Sequence, residues 1–131
     1  MKGIYCLLIK IQKNICVKAG KLGKINFEKG NYAYIGSAQN NLEKRIARHL
    51  LKNKKKFWHI DYLTSNKSVK IIKVIYKKAG KKEECKTAKK LNEKEFTING
   101  FGCSDCKCKA HLFKLKNIKS IEKLKMKLMN L

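Results

Sequence analysis

Two apolar segments near the start of the chain predict β-strands. The first runs from Gly3 to Gln12, where β-favouring residues dominate, and the second runs from Tyr32 to Ala38. The glycine-containing connection between them, Asn14 to Asn31, predicts a long hairpin with short strands around Ile15–Val17 and Ile25–Phe27. The first part of the chain is therefore predicted to be mainly β-structure.

Helical spacing of apolar residues begins after the second strand. Asn40 or Asn41 can cap a helix in which Leu42, Ile46 and Leu50 recur every four residues. Arg45 and His49 are also four residues apart and share one face of this helix. Two further helices are predicted over Phe57–Leu63 and Glu83–Leu91.

The remaining segments complete an α+β pattern. Ser68–Tyr76 is apolar on both faces, which predicts a strand in the interior of a sheet. Residues 96–113 are predicted to be a cysteine-rich loop, and residues 117–131 place apolar side chains at the spacing of an amphipathic helix. At 131 residues we expect a single domain over 1–131, with a small, mostly antiparallel central sheet flanked by helices and a core over about 1–95.

Positive charge is the strongest feature of the composition. The chain has 33 Lys and Arg against 9 Asp and Glu, a formal net charge of +24. Such an excess repels itself in a folded chain unless a polyanion neutralises it, and nucleic acid is the commonest source of phosphates. A lysine-rich genome or a hot habitat explains the sign only in part, because glutamate is not enriched with lysine. We therefore expect a nucleic-acid partner.

The N-terminal apolar run predicts neither a membrane span nor a secretion signal. It extends from Ile4 to Ile9, is broken by Lys10 and lacks a small-residue cleavage site. This pattern predicts a cytoplasmic protein with no membrane partner. Six cysteines in such a protein are more often thiols or metal ligands than disulfides.

Two short motifs and the helix that follows them resemble the GIY-YIG family of endonucleases. Gly3-Ile4-Tyr5 lies in the first predicted strand, Tyr34-Ile35-Gly36 lies in the second, and Arg45 with His49 lies in the helix. The longer hairpin connection, Trp58-His59 and the cysteine-containing segment resemble the compact Uri-type branch of that family. The resemblance spans roughly residues 3–113.

The resemblance implies metal-dependent hydrolysis of phosphodiester bonds, with DNA favoured over RNA. It implies that Tyr5 is the general base that activates water and that Tyr34 orients water or phosphate. Arg45 would grip the scissile phosphate with its planar guanidinium, and Glu84 would hold one Mg²⁺ or Mn²⁺. The candidate catalytic histidines are His49 and His59, and Glu83 is the alternative metal ligand.

Each of these residue types also has an ordinary structural use. A strand tyrosine usually packs in a half-buried position, and an arginine on a basic helix is usually solvated or holds phosphate without chemistry. The first alternative function is therefore a non-catalytic basic module that binds nucleic acid, RNA included. The second is an interaction protein stabilised by zinc.

Four soft ligands lie within nine residues of the cysteine-rich loop: Cys103, Cys106, Cys108 and His111. Four is the right number for a structural Zn²⁺. Typical zinc sites take ligand pairs from two separate segments, so Cys85 could replace one of these four. Buried thiols and a disulfide between neighbouring cysteines are the alternatives.

The charge predicts that affinity for duplex DNA falls steeply with salt. Because side chains that neutralise phosphates release counterions, the logarithm of the binding constant should fall by ~0.9 per neutralised phosphate for each tenfold rise in salt. Fluorescence anisotropy of a labelled duplex between about 50 and 200 mM salt measures this slope. A binding constant that stays unchanged over this range would contradict a phosphate-driven interaction.

Overall fold

Eight strands and three α-helices make up the part of the chain that the computed structural model describes, residues 1–103 and 108–130. The strands are β1 (Gly3–Ile11), β2 (Ile15–Lys18), β3 (Lys24–Phe27), β4 (Gly30–Ala38), β5 (Val69–Lys77), β6 (Phe96–Thr97), β7 (Leu112–Lys114) and β8 (Lys127–Leu128). The α-helices are α1 (Leu42–Leu50), α2 (His59–Thr64) and α3 (Lys81–Asn92), and 3₁₀ helices span Gly20–Leu22 and Ile118–Leu124.

Six of the strands form one antiparallel sheet in the order β6-β7-β4-β1-β5-β8. The other two, β2 and β3, pair with each other as a hairpin excursion between β1 and β4. The α+β class and the mostly antiparallel sheet predicted from the sequence are confirmed.

The register between β1 and β4 places both candidate tyrosines on one face of the sheet. Tyr5 pairs with Gly36, and Leu7 pairs with Tyr34. Because side chains alternate between the two faces of a strand, Tyr5 and Tyr34 are diagonal neighbours on the same face. The hairpin excursion does not disturb this register, which continues without a shift along the whole pairing of β1 with β4.

The sheet is covered on both faces, so two apolar clusters form around it. The face that carries Tyr5 and Tyr34 packs against α1, α2 and the β2–β3 hairpin. The opposite face, which carries Cys6 and Leu8, packs against α3 and the second 3₁₀ helix. None of the helices in the described ranges is long and apolar enough to cross a membrane.

Helix α1 begins where the sequence predicts. The Asn41 side chain accepts a hydrogen bond from the Lys44 N–H (3.0 Å), and Asn41 has a φ of 33°, a left-handed conformation that asparagine tolerates. Leu42, Ile46 and His49 then face the sheet and are buried. This orientation turns Arg45, one residue before Ile46, toward the end of the sheet near Gly36.

The prediction of an amphipathic helix over residues 117–131 is wrong. The chain instead forms the 3₁₀ helix Ile118–Leu124, turns at Lys125 with a φ of 54°, and then forms β8. Apolar residues three apart, such as Ile118 and Ile121, line one edge of a 3₁₀ helix as well as an α-helix. Pairing of β8 with β5 also satisfies backbone groups at the edge of the sheet, which a helix would leave unpaired.

The interior position predicted for Ser68–Tyr76 is confirmed by the strand order, in which β5 lies between β1 and β8. The strand β5 pairs with β1 along its length, but its other edge meets β8 only at Ile75 and Tyr76. Ile72 is consequently exposed at 42%. The apolar residues on both faces thus belong to a strand with a neighbour on each side, of which the outer neighbour is short.

A buried ion pair connects α1 to the start of α2. The Asp61 carboxylate accepts two hydrogen bonds from the Arg48 guanidinium and one each from the N–H groups of Phe57 and Trp58, all at 2.8 to 2.9 Å. Burial opposes ionisation of Asp61, but the bonds from Arg48 and from the two N–H groups outweigh it and lower its pKa. Asp61 thereby holds the segment that carries Trp58 and His59.

We predict that Asp61→Ala lowers the free energy of unfolding by about 3 kcal/mol at pH 7. This value is at the lower end of the range for removing one partner of a buried ion pair. The Arg48 side chain is 24% exposed, so it regains some solvation when Asp61 is removed. Urea denaturation measures the change. The exposed Glu122→Ala is the matched control and should change the stability by less than about 0.5 kcal/mol.

The loss of unfolding free energy caused by Asp61→Ala should depend on pH. A carboxyl with a lowered folded-state pKa stabilises the fold above its unfolded pKa of about 3.9, and this contribution is lost as the pH falls through the folded value. The difference between wild type and Asp61→Ala should therefore shrink below about pH 4. A difference that stays constant into the acid range would show that the ion pair does not cause it.

Candidate active site

A polar cleft of about 290 Å³ opens at the end of the sheet where β1 begins and β4 ends. It gathers residues from strands, from all three α-helices or the segments next to them, and from the turn after β6. Its lining consists of Tyr5, Tyr34, Gly36, Ser37, Gln39, Arg45, Trp58, His59, Lys81, Glu84 and Gly102. Five of the predicted site residues lie in this cleft, namely Tyr5, Tyr34, Arg45, His59 and Glu84.

The missing side chain of Gly36 makes room for the ring of Tyr5. A Cβ atom at position 36 would lie 2.4 Å from both Cζ and the hydroxyl oxygen of Tyr5. Real Cβ atoms do not approach other atoms so closely, and the obstacle is an aromatic ring that is only 2% exposed. Glycine at this position therefore allows the tyrosine on β1 to lie across β4 and reach α1.

The hydroxyl of Tyr5 contacts a histidine that lies behind the wall of the cleft. This hydroxyl lies 2.7 Å from Nε2 of His49, which is 1% exposed and does not line the cleft. Burial, with a contribution from Lys54, lowers the pKa of His49 to about 3, so this histidine is neutral. Burial also raises the pKa of Tyr5, although Arg45 opposes the shift.

The direction of the hydrogen bond between Tyr5 and His49 depends on the tautomer of the neutral histidine. Tyr5 is protonated at neutral pH, and the nearby Arg45 can only donate. We therefore assign the Tyr5 hydroxyl as donor to Nε2 of His49, so that its oxygen can accept from Arg45 and from a further group in the cleft. In this tautomer Nδ1 of His49 carries the proton, and within the described part of the chain that atom meets no hydrogen-bond acceptor.

Tyr34 lies beside this pair. Its ring packs edge-on against His49 and Phe101, with centroid separations of 6.2 and 6.4 Å. Burial raises the pKa of its hydroxyl well above the ordinary value, and the neighbouring Tyr5 adds to the shift. Tyr34 is therefore a neutral hydroxyl that can donate or accept a hydrogen bond in the cleft.

Arg45 is held in place from two sides. Its Nη1 donates to the carbonyl oxygen of Ser37 (3.0 Å), and its guanidinium lies 4.5 Å from the ring centre of Trp58. Arg48 stacks on the same indole at 4.6 Å. The planar fork of Arg45 is consequently oriented before any ligand arrives, which suits recognition of a phosphate.

The backbone defines the tautomer of His59. The N–H of Gly102 donates to Nδ1 of His59 at 2.9 Å, and an amide N–H cannot accept. The proton of the neutral ring is therefore on Nε2, and burial lowers the pKa so that the ring stays neutral. His59 offers the cleft an N–H donor and not a base. Gly102 itself has a φ of 79°, which favours glycine.

Glu84 is the carboxylate of the cleft. It is 8% exposed, and its Oε2 lies 3.0 Å from Nδ1 of His111. The neighbouring Glu83 points elsewhere and forms ion pairs with Lys77 and Lys86, each at 3.6 Å. The choice of Glu84 over Glu83 as the cleft residue agrees with this geometry.

Of the four zinc ligands predicted from the sequence, the structure places Cys108 and His111 in one group. Cys108 and His111 form a group with Cys85 of α3, and their ligand atoms all lie within 4.8 Å of one another. Cys103 is outside this group, and its Sγ donates to the carbonyl oxygen of Phe101 (3.6 Å). Cys106 lies outside the described residues.

Several cleft residues were not singled out as site residues from the sequence. Trp58 stacks on Arg45, Gly102 orients His59, and Lys81 borders the cleft from the first turn of α3. Asp61 was missed as the group that anchors the Trp58 segment. Only Asp61 has a local signal, because an acid in the first turn of a helix is a common partner for N-terminal N–H groups.

The cleft fits one hard divalent cation held by a single carboxylate. Mg²⁺ usually keeps several waters and binds through one or two carboxylates plus the phosphates of a substrate, and Glu84 supplies one carboxylate here. The other polar side chains of the lining are cations, N–H donors, neutral hydroxyls and the amide of Gln39. Together they can hold a phosphate, offer N–H groups to its oxygens and place a tyrosine hydroxyl beside it.

Comparison with known proteins identifies one family. The matching family model is described as a domain of unknown function, DUF123, and it covers residues 4–131. No curated protein and no solved structure matches the chain.

We predict that Gly36→Ala displaces the ring of Tyr5 and costs about 1 to 3 kcal/mol of unfolding free energy, the usual range for an overpacked core. Gly80→Ser is the matched control. It adds a Cβ where no atom lies within 4 Å and can cap α3, so its stability should be unchanged or slightly higher. Urea denaturation gives both values, and NMR of the tyrosine rings reports the displacement. Equal stabilities for Gly36→Ala and wild type would refute the close contact.

Proposed function

The chain belongs to the family described as domain of unknown function DUF123, and we propose that it is a metal-dependent endonuclease of the GIY-YIG type that hydrolyses phosphodiester bonds, of DNA in preference to RNA. The observation that carries the proposal is the convergence of Tyr5, Arg45 and Glu84 on one cleft. These residues come from a strand and two helices that are far apart in the sequence. Their order and placement also resemble the motifs of the GIY-YIG endonucleases.

Phosphodiester hydrolysis needs an activated water, cationic stabilisation of the pentacoordinate phosphate and a path for a proton. In the proposed reaction Arg45 binds the scissile phosphate through its oriented guanidinium. His59 donates its Nε2–H to a phosphate oxygen and remains neutral throughout. Tyr34 donates a hydrogen bond to the phosphate or to the attacking water.

Tyr5 orients the attacking water, which donates a hydrogen bond to the Tyr5 oxygen. As the oxygen of this water bonds to phosphorus, its proton passes to solvent, because burial keeps Tyr5 protonated and His49 neutral. The bond from phosphorus to the leaving oxygen then breaks, and that oxygen takes a proton from solvent. His49 acts through its hydrogen bond to the Tyr5 hydroxyl and is thus a positioning residue, not one that touches the substrate.

Glu84 would hold a Mg²⁺ or Mn²⁺ that supplies Lewis-acid stabilisation of charge on the phosphate. The other carboxylate oxygen remains bonded to His111, so Glu84 is oriented by the fold. A single protein carboxylate implies that the substrate completes the coordination, as magnesium sites in phosphoryl-transfer enzymes commonly do.

Exposed groups beside the cleft support a nucleic-acid substrate. Phe57, next to Trp58 of the cleft, is 66% exposed, with the Arg48 and Lys55 cations within 5.5 Å of its ring centre. Aromatic rings flanked by cations are common stacking platforms for unpaired bases. The formal net charge of +24 supplies affinity for the phosphate backbone.

We predict that the wild type nicks supercoiled plasmid or branched DNA with Mg²⁺ or Mn²⁺ and not in chelator. Arg45→Ala, Tyr5→Phe and Glu84→Ala should each lower the cleavage rate by about 100-fold or more, because each removes a group that acts on the transition state. Single-turnover cleavage measures the rate, while circular dichroism and DNA anisotropy confirm that folding and binding persist.

Each variant has a matched control outside the cleft lining. Lys44→Ala removes an exposed cation one residue from Arg45, Tyr62→Phe removes a hydroxyl from a partly buried tyrosine, and Glu83→Ala removes the neighbouring acid. All three should cut within a few-fold of the wild type. Cutting that survives in the cleft variants would indicate a contaminant. Salt-sensitive binding by every variant without cutting would favour the non-catalytic module.

A further inference from the structure

We propose that Cys85, Cys108 and His111 bind a Zn²⁺ ion and that this ion orients Glu84 at the cleft. The first half of the proposal rests on the positions of the ligands. Their ligand atoms lie within 4.8 Å of one another, and atoms bound to a tetrahedral zinc with Zn–S bonds of about 2.3 Å lie ~3.8 Å apart. A small contraction therefore suffices for binding.

The three ligands come from two separate segments, as is usual for structural zinc sites. Cys85 lies on α3, whereas Cys108 and His111 lie just before β7. This pairing differs from the four neighbouring ligands suggested by the sequence, because it uses Cys85 and leaves out Cys103. A site of this kind ties α3 to the cysteine-rich segment across the second apolar core.

The hydrogen bonds at Nδ1 of His111 indicate which ring nitrogen would bind a metal. Its Nδ1 lies 3.0 Å from Oε2 of Glu84 and 3.1 Å from the carbonyl oxygen of Ile35. Both of these oxygens are acceptors, so the proton of the neutral ring is on Nδ1. Nε2 then keeps its lone pair, which is the form in which histidine binds zinc.

Glu84 therefore occupies the position of a carboxylate that supports a zinc-bound histidine. Such outer carboxylates orient the imidazole and raise its basicity, and removing them typically weakens metal binding by about 10 to 100-fold. The same Glu84 lines the cleft and directly precedes Cys85 on α3. The zinc would hold both the backbone and the carboxylate of Glu84.

Ligand chemistry separates this ion from the one proposed for the cleft. Two thiolates and an imidazole select a soft or borderline ion such as Zn²⁺. A carboxylate with water and phosphate oxygens selects Mg²⁺ or Mn²⁺. The second half of the proposal, that zinc sets the geometry of the hard-cation site, rests on the proposed function of Glu84.

The test of the first half uses the full chain purified without chelator. Elemental analysis and Co²⁺ titration, read by the absorbance of thiolate-to-cobalt charge transfer, should give one metal per chain for the wild type. Cys85→Ser and Cys108→Ser should lose this stoichiometric binding. Cys16→Ser, which alters an exposed cysteine on β2, is the matched control and should keep it. A wild type without zinc, or cysteine variants that retain it, would overturn the proposal.

A measurement on the wild type alone covers the case in which the cysteine variants do not fold. Thiol modification of zinc-loaded protein should release one zinc per chain, detected with a zinc-binding dye. If modification consumes the thiols of Cys85 and Cys108 and releases no zinc, the site does not exist as described.

The coupling to Glu84 has its own readout. Glu84→Gln keeps the size of the side chain but should weaken Zn²⁺ affinity by about 10 to 100-fold, although residue 84 is not a ligand. By reciprocity, removal of zinc from folded wild type should weaken Mn²⁺ binding in the cleft, measured by electron paramagnetic resonance. Unchanged zinc affinity in Glu84→Gln would overturn the coupling.

The two proposals fail in distinguishable ways. A protein that binds zinc through Cys85 and Cys108 but never cuts DNA would keep the zinc site and lose the nuclease. A protein that cuts DNA but contains no zinc would keep the nuclease and lose the inference made here.

Discussion

The Tyr5 ring lies against the backbone of Gly36, and the cleft depends on that contact. It exists because β1 and β4 pair without a shift along their length, which brings residue 5 opposite residue 36. A slip of one residue would turn Tyr5 to the other face of the sheet and put Cys6 in its place. Both faces are buried under helices, so such a slip would expose two apolar cores at once. Packing on both sides of the sheet thus secures the position of a single hydroxyl.

Three acidic residues of this basic chain make hydrogen bonds or ion pairs in its interior. Asp61, Glu84 and Glu95 are buried, although carboxylates rarely are unless paired. Asp61 anchors the start of α2, and Glu95 accepts hydrogen bonds from the Lys116 N–H (3.2 Å) and the Ser120 hydroxyl (3.0 Å). These two carboxylates hold together segments that join the helices to the sheet. Glu84 is the one of the three that lines the cleft, together with the cations Arg45 and Lys81.

Local signals were sufficient for the elements that hold most of the candidate site. The apolar strands, the Asn41 cap and the four-residue spacing of Arg45 and His49 all have short-range causes, and the structure agrees with each of them. The α-helix predicted over residues 117–131 was wrong because a spacing of three residues fits a 3₁₀ helix as well as an α-helix. The interior place of β5 was predicted, but apolar residues on both faces did not reveal that its pairing with β8 covers only two residues. In both cases the deciding interaction is between residues distant in the chain.

The sequence alone determined the α+β class, the strong positive charge and the residue types that resemble a nuclease site. These properties depend on composition and on neighbours within one strand or helix turn. Only the tertiary structure decided that His49 lies behind Tyr5, that Gly102 orients His59, and that Cys85 joins Cys108 and His111. Each of those pairings connects segments more than twenty residues apart in the sequence. Such contacts arise from the way the helices pack on the two faces of the sheet, and no local pattern encodes that packing.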